Sequence, residues 1–98
     1  MLSVTTDNVE GQEIVGDQDG LVTLQINNNT LFNLYLVTEK TQSFKDRGTV
    51  VPPSTLWPTN GPQLWAGKLY CYSDQKVQFG LIKSKTLSLL ANTKRQSF

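Results

Sequence analysis

The chain has 98 residues, of which 38% are hydrophobic and 17% are charged, and its net charge at pH 7 is +1. This composition fits one small globular domain and excludes a disordered or membrane-spanning chain. A net charge this small excludes a general electrostatic attraction to nucleic acid or to an anionic membrane.

The sequence contains no histidine and one cysteine, Cys71. Histidine is the commonest general base near neutral pH and the commonest metal ligand, so Ser-His and Cys-His pairs and ordinary zinc sites are excluded. A single cysteine forms no disulfide within the chain, and no glycine-rich phosphate-binding motif is present. We therefore expect a protein that is not an enzyme and that binds no cofactor or metal.

Charge is divided between the two ends of the chain. The first twenty residues carry five acids and no base, whereas residues 83–98 carry four bases and no acid. This division predicts an acidic N-terminal arm over residues 1–19, a β core over residues 20–82 and a basic C-terminal arm over residues 83–98. Oppositely charged arms favour contact with neighbouring subunits or with another protein.

The first half of the core predicts one hairpin. Apolar and polar residues alternate from Leu21 to Ile26, which is typical of a half-buried strand. The run Asn27–Thr30 predicts a turn, because Asn tolerates positive φ and hydrogen-bonds the local backbone. Alternation resumes from Leu31 to Val37, so we expect these two strands to pair.

A polar stretch, residues 38–48, follows and predicts an exposed loop in which Phe44 is the exception. Residues 49–51 predict a short strand that stops at Pro52. The stretch from Pro52 to Pro62 contains four prolines and predicts a structured crossing loop outside any regular ladder.

The second half of the core predicts another hairpin. Residues 64–72 alternate, with Trp65, Leu69 and Cys71 on one face. Residues 73–76 predict the turn into a last strand over residues 77–82, which has an apolar face.

A core of this length buries only roughly 60% of the surface of its unfolded chain, so it is marginal without a partner. Oligomerisation is the usual remedy where disulfides and metals are missing. Large aromatic side chains are candidates for the interface, since they bury much area and several keep a polar atom. These candidates are Trp57, Trp65, Tyr70, Tyr72 and Phe44, although the pattern equally allows Trp65 and Tyr70 a place in the core.

Three motifs follow one another in the core: Ile26-Asn27-Asn28-Asn29-Thr30, a Gly48 loop that leads to Val50-Val51-Pro52-Pro53, and Leu64 to Tyr72. This order resembles small β-sandwich virion proteins of tailed bacteriophages, over about residues 20–82. That group comprises capsid decoration (cement) proteins, head-fibre bases and tail adaptors. The resemblance implies an all-β fold, either a small antiparallel β-sandwich or a jelly-roll-like domain, and supplies no catalytic residues.

The C-terminal arm offers further candidate contacts. Its leucines favour docking on a protein over binding nucleic acid, because four positive charges spread over residues 83–98 are sparse. A solvated arm is the alternative for either end. The candidate interface residues here are Leu87, Leu89, Leu90, Lys94, Arg95 and Phe98.

Three smaller features have ordinary interpretations. Cys71 shares a strand face with Leu69, which predicts a small buried hydrophobic residue rather than a reactive thiol. The sequon Asn28-Asn29-Thr30 reads as a turn rather than a glycosylation site. The run Asp17–Gly20 lacks the further acidic ligands of a calcium loop and reads as a turn.

The divided charge, the small core and the missing catalytic residues favour an assembly protein, and the resemblance implies a structural protein of a virus particle. We expect a homotrimer that binds the major capsid protein on the outside of a phage capsid as a decoration protein, in a virion assembled in the host cytoplasm. A tail adaptor or fibre base is one alternative. A carbohydrate-binding or receptor-binding module that stacks sugars on the aromatic residues is another. An enzyme is the least supported alternative, and its candidate residues are Glu39, Asp46 and Asp74 with Lys68 or Lys76.

Overall fold

A computed structural model describes residues 1–85 of the chain. Within this range the chain forms nine strands, a one-turn helix and a 3-10 turn at Asp17–Asp19. The strands and helix are β1 (Leu2–Thr6), β2 (Gln12–Val15), β3 (Val22–Asn28), β4 (Leu34–Val37), α1 (Phe44–Arg47), β5 (Thr49–Val51), β6 (Thr55–Trp57), β7 (Gln63–Trp65), β8 (Leu69–Ser73) and β9 (Val77–Lys85).

The strands form two antiparallel sheets. Sheet I has the order β1-β9-β3-β6, with β7 also paired to β3, and sheet II has the order β2-β8-β4-β5. Pairing is nested along the chain: β1 meets β9, β2 meets β8, β3 meets β6 and β7, and β4 meets β5. Two sheets with this nested pairing are a jelly roll. The prediction of an all-β fold, either a small antiparallel β-sandwich or a jelly-roll-like domain, is confirmed.

The core lies between the inner faces of the two sheets. The predicted alternation in β3 holds, because Val22, Leu24 and Ile26 are buried in the core. Phe79 and Leu81 of β9 are buried beside them. The facing side chains of sheet II come from four strands, and they are Ile14, Val15, Leu34, Leu36, Val51, Leu69 and Cys71.

The first twenty residues belong to this fold, and the prediction of a separate acidic arm over residues 1–19 was wrong. β1 pairs with β9 along its whole length, and β2 pairs with β8. Ile14 and Val15 are buried in the core. The apolar residues of this segment are sparse because each of its strands lies at a sheet edge and buries little. At the other end, residues 83–85 belong to β9, and residues 86–98 of the predicted basic arm lie outside the described range.

Both predicted hairpins were also wrong. β3 lies in sheet I and β4 in sheet II, and β8 lies in sheet II and β9 in sheet I. The connections 29–33 and 74–76 therefore carry the chain from one sheet to the other. A sequence pattern reports that two strands follow each other, but it does not report whether they pair or face each other.

The fully buried side chain of Asn28 fixes the first of these crossings. Its Nδ2 donates to the carbonyls of Phe32, Val51 and Pro52 at 2.8, 2.8 and 3.0 Å. Its Oδ1 accepts from the backbone N–H and the hydroxyl of Thr30 at 3.1 and 2.7 Å. The predicted turn chemistry is confirmed, and Asn28 in addition ties the end of β3 to the end of β5 in the other sheet.

The second half of the chain crosses between sheets at two further places. The predicted strand over residues 64–72 is broken into β7 in sheet I and β8 in sheet II. Gly67 lies at the break with φ of +100°, a conformation that side chains other than glycine rarely adopt. The predicted crossing loop from Pro52 to Pro62 does lead from sheet II to sheet I, but it contains β6, a three-residue strand paired with β3.

The outer face of sheet II is covered by the segment predicted as an exposed loop. Phe44 of α1 stacks on the ring of Tyr72 with centroids 4.6 Å apart, and packs against Tyr35 at 5.3 Å. We call this second group of buried residues the aromatic cluster, and its members are Tyr35, Val37, Phe44, Tyr70 and Tyr72. Asp74 fixes α1 over sheet II, because its carboxylate accepts hydrogen bonds from Lys45 Nζ at 2.9 Å and from the Tyr35 hydroxyl at 3.3 Å.

Two carboxylates organise the connections around β2. Oδ1 of Asp7 accepts the N–H groups of Val9, Glu10 and Gly11 at 3.0, 2.9 and 3.0 Å, which shapes the turn from β1 to β2. These bonds, the Gly11 N–H first, hold the pKa of Asp7 below its ordinary value of 3.8. Gly11 has φ of +66°, and a Cβ there would lie 2.8 Å from the Tyr72 ring.

Asp19 connects the 3-10 turn to sheet I. Its Oδ2 accepts the Gly16 N–H at 2.7 Å and lies 3.4 Å from Lys83 Nζ. Lys83 Nζ also donates to the carbonyl of Ile14 at 2.9 Å. The hydrogen bond from the Gly16 N–H is the main cause that holds the pKa of Asp19 below its ordinary value of 3.8. Lys83 lowers this pKa further.

We expect the substitution Asn28→Ala to lower the free energy of unfolding by about 2–3 kcal/mol, because it leaves the buried carbonyls that Asn28 serves without their donor. Urea denaturation followed by tryptophan fluorescence measures this change. The matched control is Asn29→Ala, an exposed neighbour, which should change stability by less than about 0.5 kcal/mol. Equal effects of the two substitutions would contradict the assigned role of Asn28.

We expect acid to destabilise the fold through Asp7 and Asp19. Their pKa values are lower in the folded chain than the ordinary 3.8, so their stabilisation is complete above that value and is lost as pH falls through the folded pKa. Asp7→Asn keeps an acceptor oxygen but does not titrate. Its free energy of unfolding should therefore fall less than that of the wild type between about pH 5 and pH 2. Identical acid profiles for the two proteins would contradict this role of Asp7.

Candidate interaction surface

The outer face of sheet I is free of charged side chains in the described part of the chain. Side chains alternate along each strand, so those beside the core-facing residues point outward. This surface, the sheet I face, comprises Ser3, Thr5, Thr23, Gln25, Asn27, Leu56, Leu64, Gln78, Gly80, Ile82 and Ser84. None of these residues is Asp, Glu, Lys or Arg, although 17% of the chain is charged.

Two exposed leucines flank a strip of amides and hydroxyls on this face. Leu56 of β6 lies opposite Asn27, and Leu64 of β7 lies opposite Thr23. Their side chains are 43% and 62% exposed. Between them, Gln25 donates from Nε2 to the carbonyl of Pro58 at 3.2 Å and is buried.

On the opposite side of the face, Gly80 leaves room for the side chain of Met1. Gly80 lies opposite Asn27 on one side and Ser3 on the other. The side chain of Met1 occupies the space where a Cβ on Gly80 would stand, and its sulfur lies 4.0 Å from Asn27 Nδ2. Met1 thus adds an exposed apolar group to the uncharged surface.

The two tryptophans predicted as interface residues lie at the edge of sheet I and point inward. Trp57 and Trp65 are half-buried and pack against the core, with ring centroids 6.5 Å apart in an edge-to-face arrangement. The Trp65 Nε1 donates to the carbonyl of Gly67 at 3.0 Å. Leu56 and Leu64, which precede the two tryptophans in the chain, point to the opposite, outer side of the sheet.

The other aromatic candidates are internal. Tyr70, Tyr72 and Phe44 are buried in the aromatic cluster. The alternative of a core position is therefore confirmed for Tyr70, and the prediction of Tyr72 and Phe44 as surface contacts was wrong. The reason is that α1 covers the outer face of sheet II, whereas we expected its segment to project from the sheet. The candidates in the C-terminal arm lie outside the described residues, and they are Leu87, Leu89, Leu90, Lys94, Arg95 and Phe98.

The ordinary interpretations of two smaller features are confirmed. Cys71 is fully buried in the core, and burial raises the pKa of its thiol to about 12. The run Asp17–Gly20 is a turn in which Asp19 is already occupied by Gly16 and Lys83. Within residues 1–85 no group of three or more Cys, Asp or Glu side chains is placed to hold a metal ion.

Sequence reasoning missed Leu56 and underrated Leu64. Leu56 was placed in the crossing loop, where a single exposed leucine carries no information. Leu56 joins the sheet I face because β6 pairs with β3, and Leu64 joins it because β7 also pairs with β3. No local sequence pattern connects the two leucines. The one available signal was the alternation in β3, which leaves Thr23, Gln25 and Asn27 as an uncharged outward row.

An open groove of about 460 Å³ lies elsewhere, between the β1–β2 turn and the segment before α1. It is lined by Val9, Glu10, Lys40, Thr41, Gln42 and Tyr72. The Gln42 Nε2 closes one side by donating to the carbonyl of Val9 at 2.8 Å. Its two charges have opposite sign, and the groove presents no convergent set of polar groups of the kind that defines a small-molecule site.

No protein-family model, curated protein or solved structure matches this chain.

No helix within residues 1–85 has the length and apolar character needed to span a bilayer.

We expect Cys71 to resist thiol reagents in the folded protein, because the thiol is buried and its pKa is raised to about 12. The rate of reaction with a chromogenic disulfide at pH 8 measures this protection. It should follow the unfolding transition in urea and be complete only in unfolded protein. Rapid reaction in the absence of urea would show that the core opens near β8.

Proposed function

We propose that this protein is a non-enzymatic structural component of a virus particle that binds the outside of a phage capsid as a decoration protein. The observation that carries the proposal is the uncharged sheet I face with its two exposed leucines. Jelly rolls form many viral capsid and lectin domains, which supports the proposal by analogy of fold.

The sheet I face suits repeated docking on a shell. Leu56 and Leu64 bury apolar area on contact, while the amide of Asn27 and the hydroxyl of Thr23 beside them hydrogen-bond to a partner backbone or side chains. A face without charge has no long-range repulsion to overcome. One such contact is modest, but a closed shell repeats it many times, so the shell is stabilised by multivalency.

The N-terminal segment does not act as the arm that the charge pattern predicted. The N-terminal segment forms β1 and β2, so the shell contact does not use it as a clasp. The basic segment over residues 86–98 remains the candidate for a second contact with the major capsid protein. A tail adaptor or fibre base would use the same face, and the identity of the partner distinguishes these roles.

The proposal of a carbohydrate-binding module has lost much of its support. Tyr70 and Tyr72 are buried, so they cannot stack on a sugar. Trp57 and Trp65 direct their rings toward the core and each other. The face that remains open carries leucines in place of aromatic rings.

Two of the acidic residues considered for catalysis, Asp74 and Glu39, lie in ion pairs. Asp74 binds Lys45 and Tyr35, and Glu39 lies 3.5 Å from Arg47. Lys68 Nζ lies 3.7 Å from an Asp17 oxygen. These pairings match solvated or structural charges rather than an acid and base that converge on a substrate.

We expect the double substitution Leu56→Ser/Leu64→Ser to weaken binding to phage heads by at least about tenfold, since it removes apolar area from the docking face. Co-sedimentation of the purified protein with heads of tailed phages that lack their own decoration protein measures binding. The matched control is Leu31→Ser, an 88% exposed leucine in the crossing from β3 to β4, which should bind as the wild type does.

Equal losses in the control and the double variant would contradict the assignment of the sheet I face. A wild-type protein that sediments with none of the heads, from a panel of unrelated tailed phages, would overturn capsid decoration itself.

A further inference from the structure

We propose that β1 pairs with β1 of a second copy of the chain across a two-fold axis, in antiparallel register. The two copies of sheet I then become one continuous sheet. This inference concerns self-association and stands on the strand edges alone, so it does not depend on the proposed shell binding.

The two edges of sheet II are protected against strand addition. β2 has an irregular register between Glu13 and Val15, and its Ile14 carbonyl is occupied by Lys83. β5 is three residues long and runs directly into Pro52 and Pro53. Bulges, short strands and prolines are the devices by which natural sheets prevent edge pairing.

One edge of sheet I is protected and the other is not. The β6 and β7 edge consists of two three-residue strands separated by the segment Pro58–Pro62. β1, in contrast, runs for five residues in unbroken register with β9. It contains no proline, glycine or charged residue, and Met1 and Leu2 at its start are exposed.

The residue pattern of β1 is complementary to itself. An antiparallel pair centred on Val4 places Val4 opposite its symmetry mate, Leu2 opposite Thr6 of the second copy, and Ser3 opposite Thr5. On the inner side the two Val4 side chains then meet, and on the outer face hydroxyls meet hydroxyls, which are favourable cross-strand pairs. Thr6 is buried and donates to the carbonyl of Cys71, so it adds no side-chain contact to the pair. A two-fold contact brings like residues together, so only an uncharged strand can form it without repulsion.

The second copy also covers apolar surface that the monomer leaves open. Leu2 lies opposite Leu81 on the inner side of sheet I, yet it remains 59% exposed because no strand lies beyond β1. A neighbouring β1 would cover it. Each copy presents its sheet I face on the same side of the joined sheet, so the dimer doubles that face. The symmetry differs from the trimer that we expected from the sequence.

The first test is the solution mass of the full-length chain by light scattering over a range of concentrations. We expect a dimer, with a dissociation constant that rises roughly tenfold or more in Ser3→Lys/Thr5→Lys, because symmetry creates two Lys–Lys pairs across the axis. The matched control, Thr23→Lys/Asn27→Lys, adds the same two charges to the same face on an interior strand and should stay dimeric. Circular dichroism confirms that each variant is folded.

The second test keeps the proposal open to refutation even where the lysine variant does not fold. Ser3→Cys and Thr5→Cys are conservative substitutions on the outer face of β1, where Ser3 is exposed and Thr5 is half-buried. The buried Cys71 does not compete for oxidant. A mixture of the two variants should form a disulfide-linked dimer on mild oxidation, whereas each variant alone should form much less. This difference arises because residue 3 faces residue 5 of the other copy in the proposed register.

A monomer at all concentrations would overturn the proposal, as would a trimer. A dimer would also overturn it if the β1 lysines left its dissociation constant unchanged, or if the mixed cysteine variants gave no more cross-link than each variant alone.

Discussion

The fold depends on bringing the chain from one sheet to the other without leaving buried polar groups unpaired. Asn28 meets this requirement at the crossing from β3 to β4, where one side-chain amide serves three carbonyls and accepts two bonds from Thr30. An apolar side chain of similar size would fill the space but leave the carbonyls without donors. The nested pairing of the jelly roll, and with it the assignment of each strand to a sheet, follows from where such crossings occur.

The two sheets have different outer faces because α1 covers only one of them. The aromatic cluster turns the outside of sheet II into a second small core, fastened by Asp74 and Lys45. Sheet I has no comparable layer within residues 1–85 and presents amides, hydroxyls and leucines instead. The outer face of sheet II therefore stabilises the monomer. The outer face of sheet I and its β1 edge stay open, and both proposals concern them.

Sequence patterns predicted the strands far better than their partners. Alternation in Val22–Ile26 and Val77–Leu81 identified the core faces, and Cys71 and the Asn28 turn were interpreted correctly. Pairing failed, because alternation is a local property and a jelly roll pairs residues that are distant in sequence. Tyr72 and Phe44 were misplaced for the same reason, since nothing local indicates that a polar loop folds back over a sheet. The uncharged face became visible only when β6 and β7 were aligned with β3.

The pairing of β1 with β9 also constrains how the protein is made. Leu2 and Leu81 are partners although 79 residues separate them. Among the strands of the described chain, β1 is synthesised before all the others and β9 after all the others. The backbone of β1 therefore stays unpaired until β9 has been synthesised, and an uncharged strand left open in this way is prone to pair with the wrong chain. Distant pairing of this kind also slows folding, so correct assembly of the sheet depends on the nascent chain remaining dilute until β9 is complete.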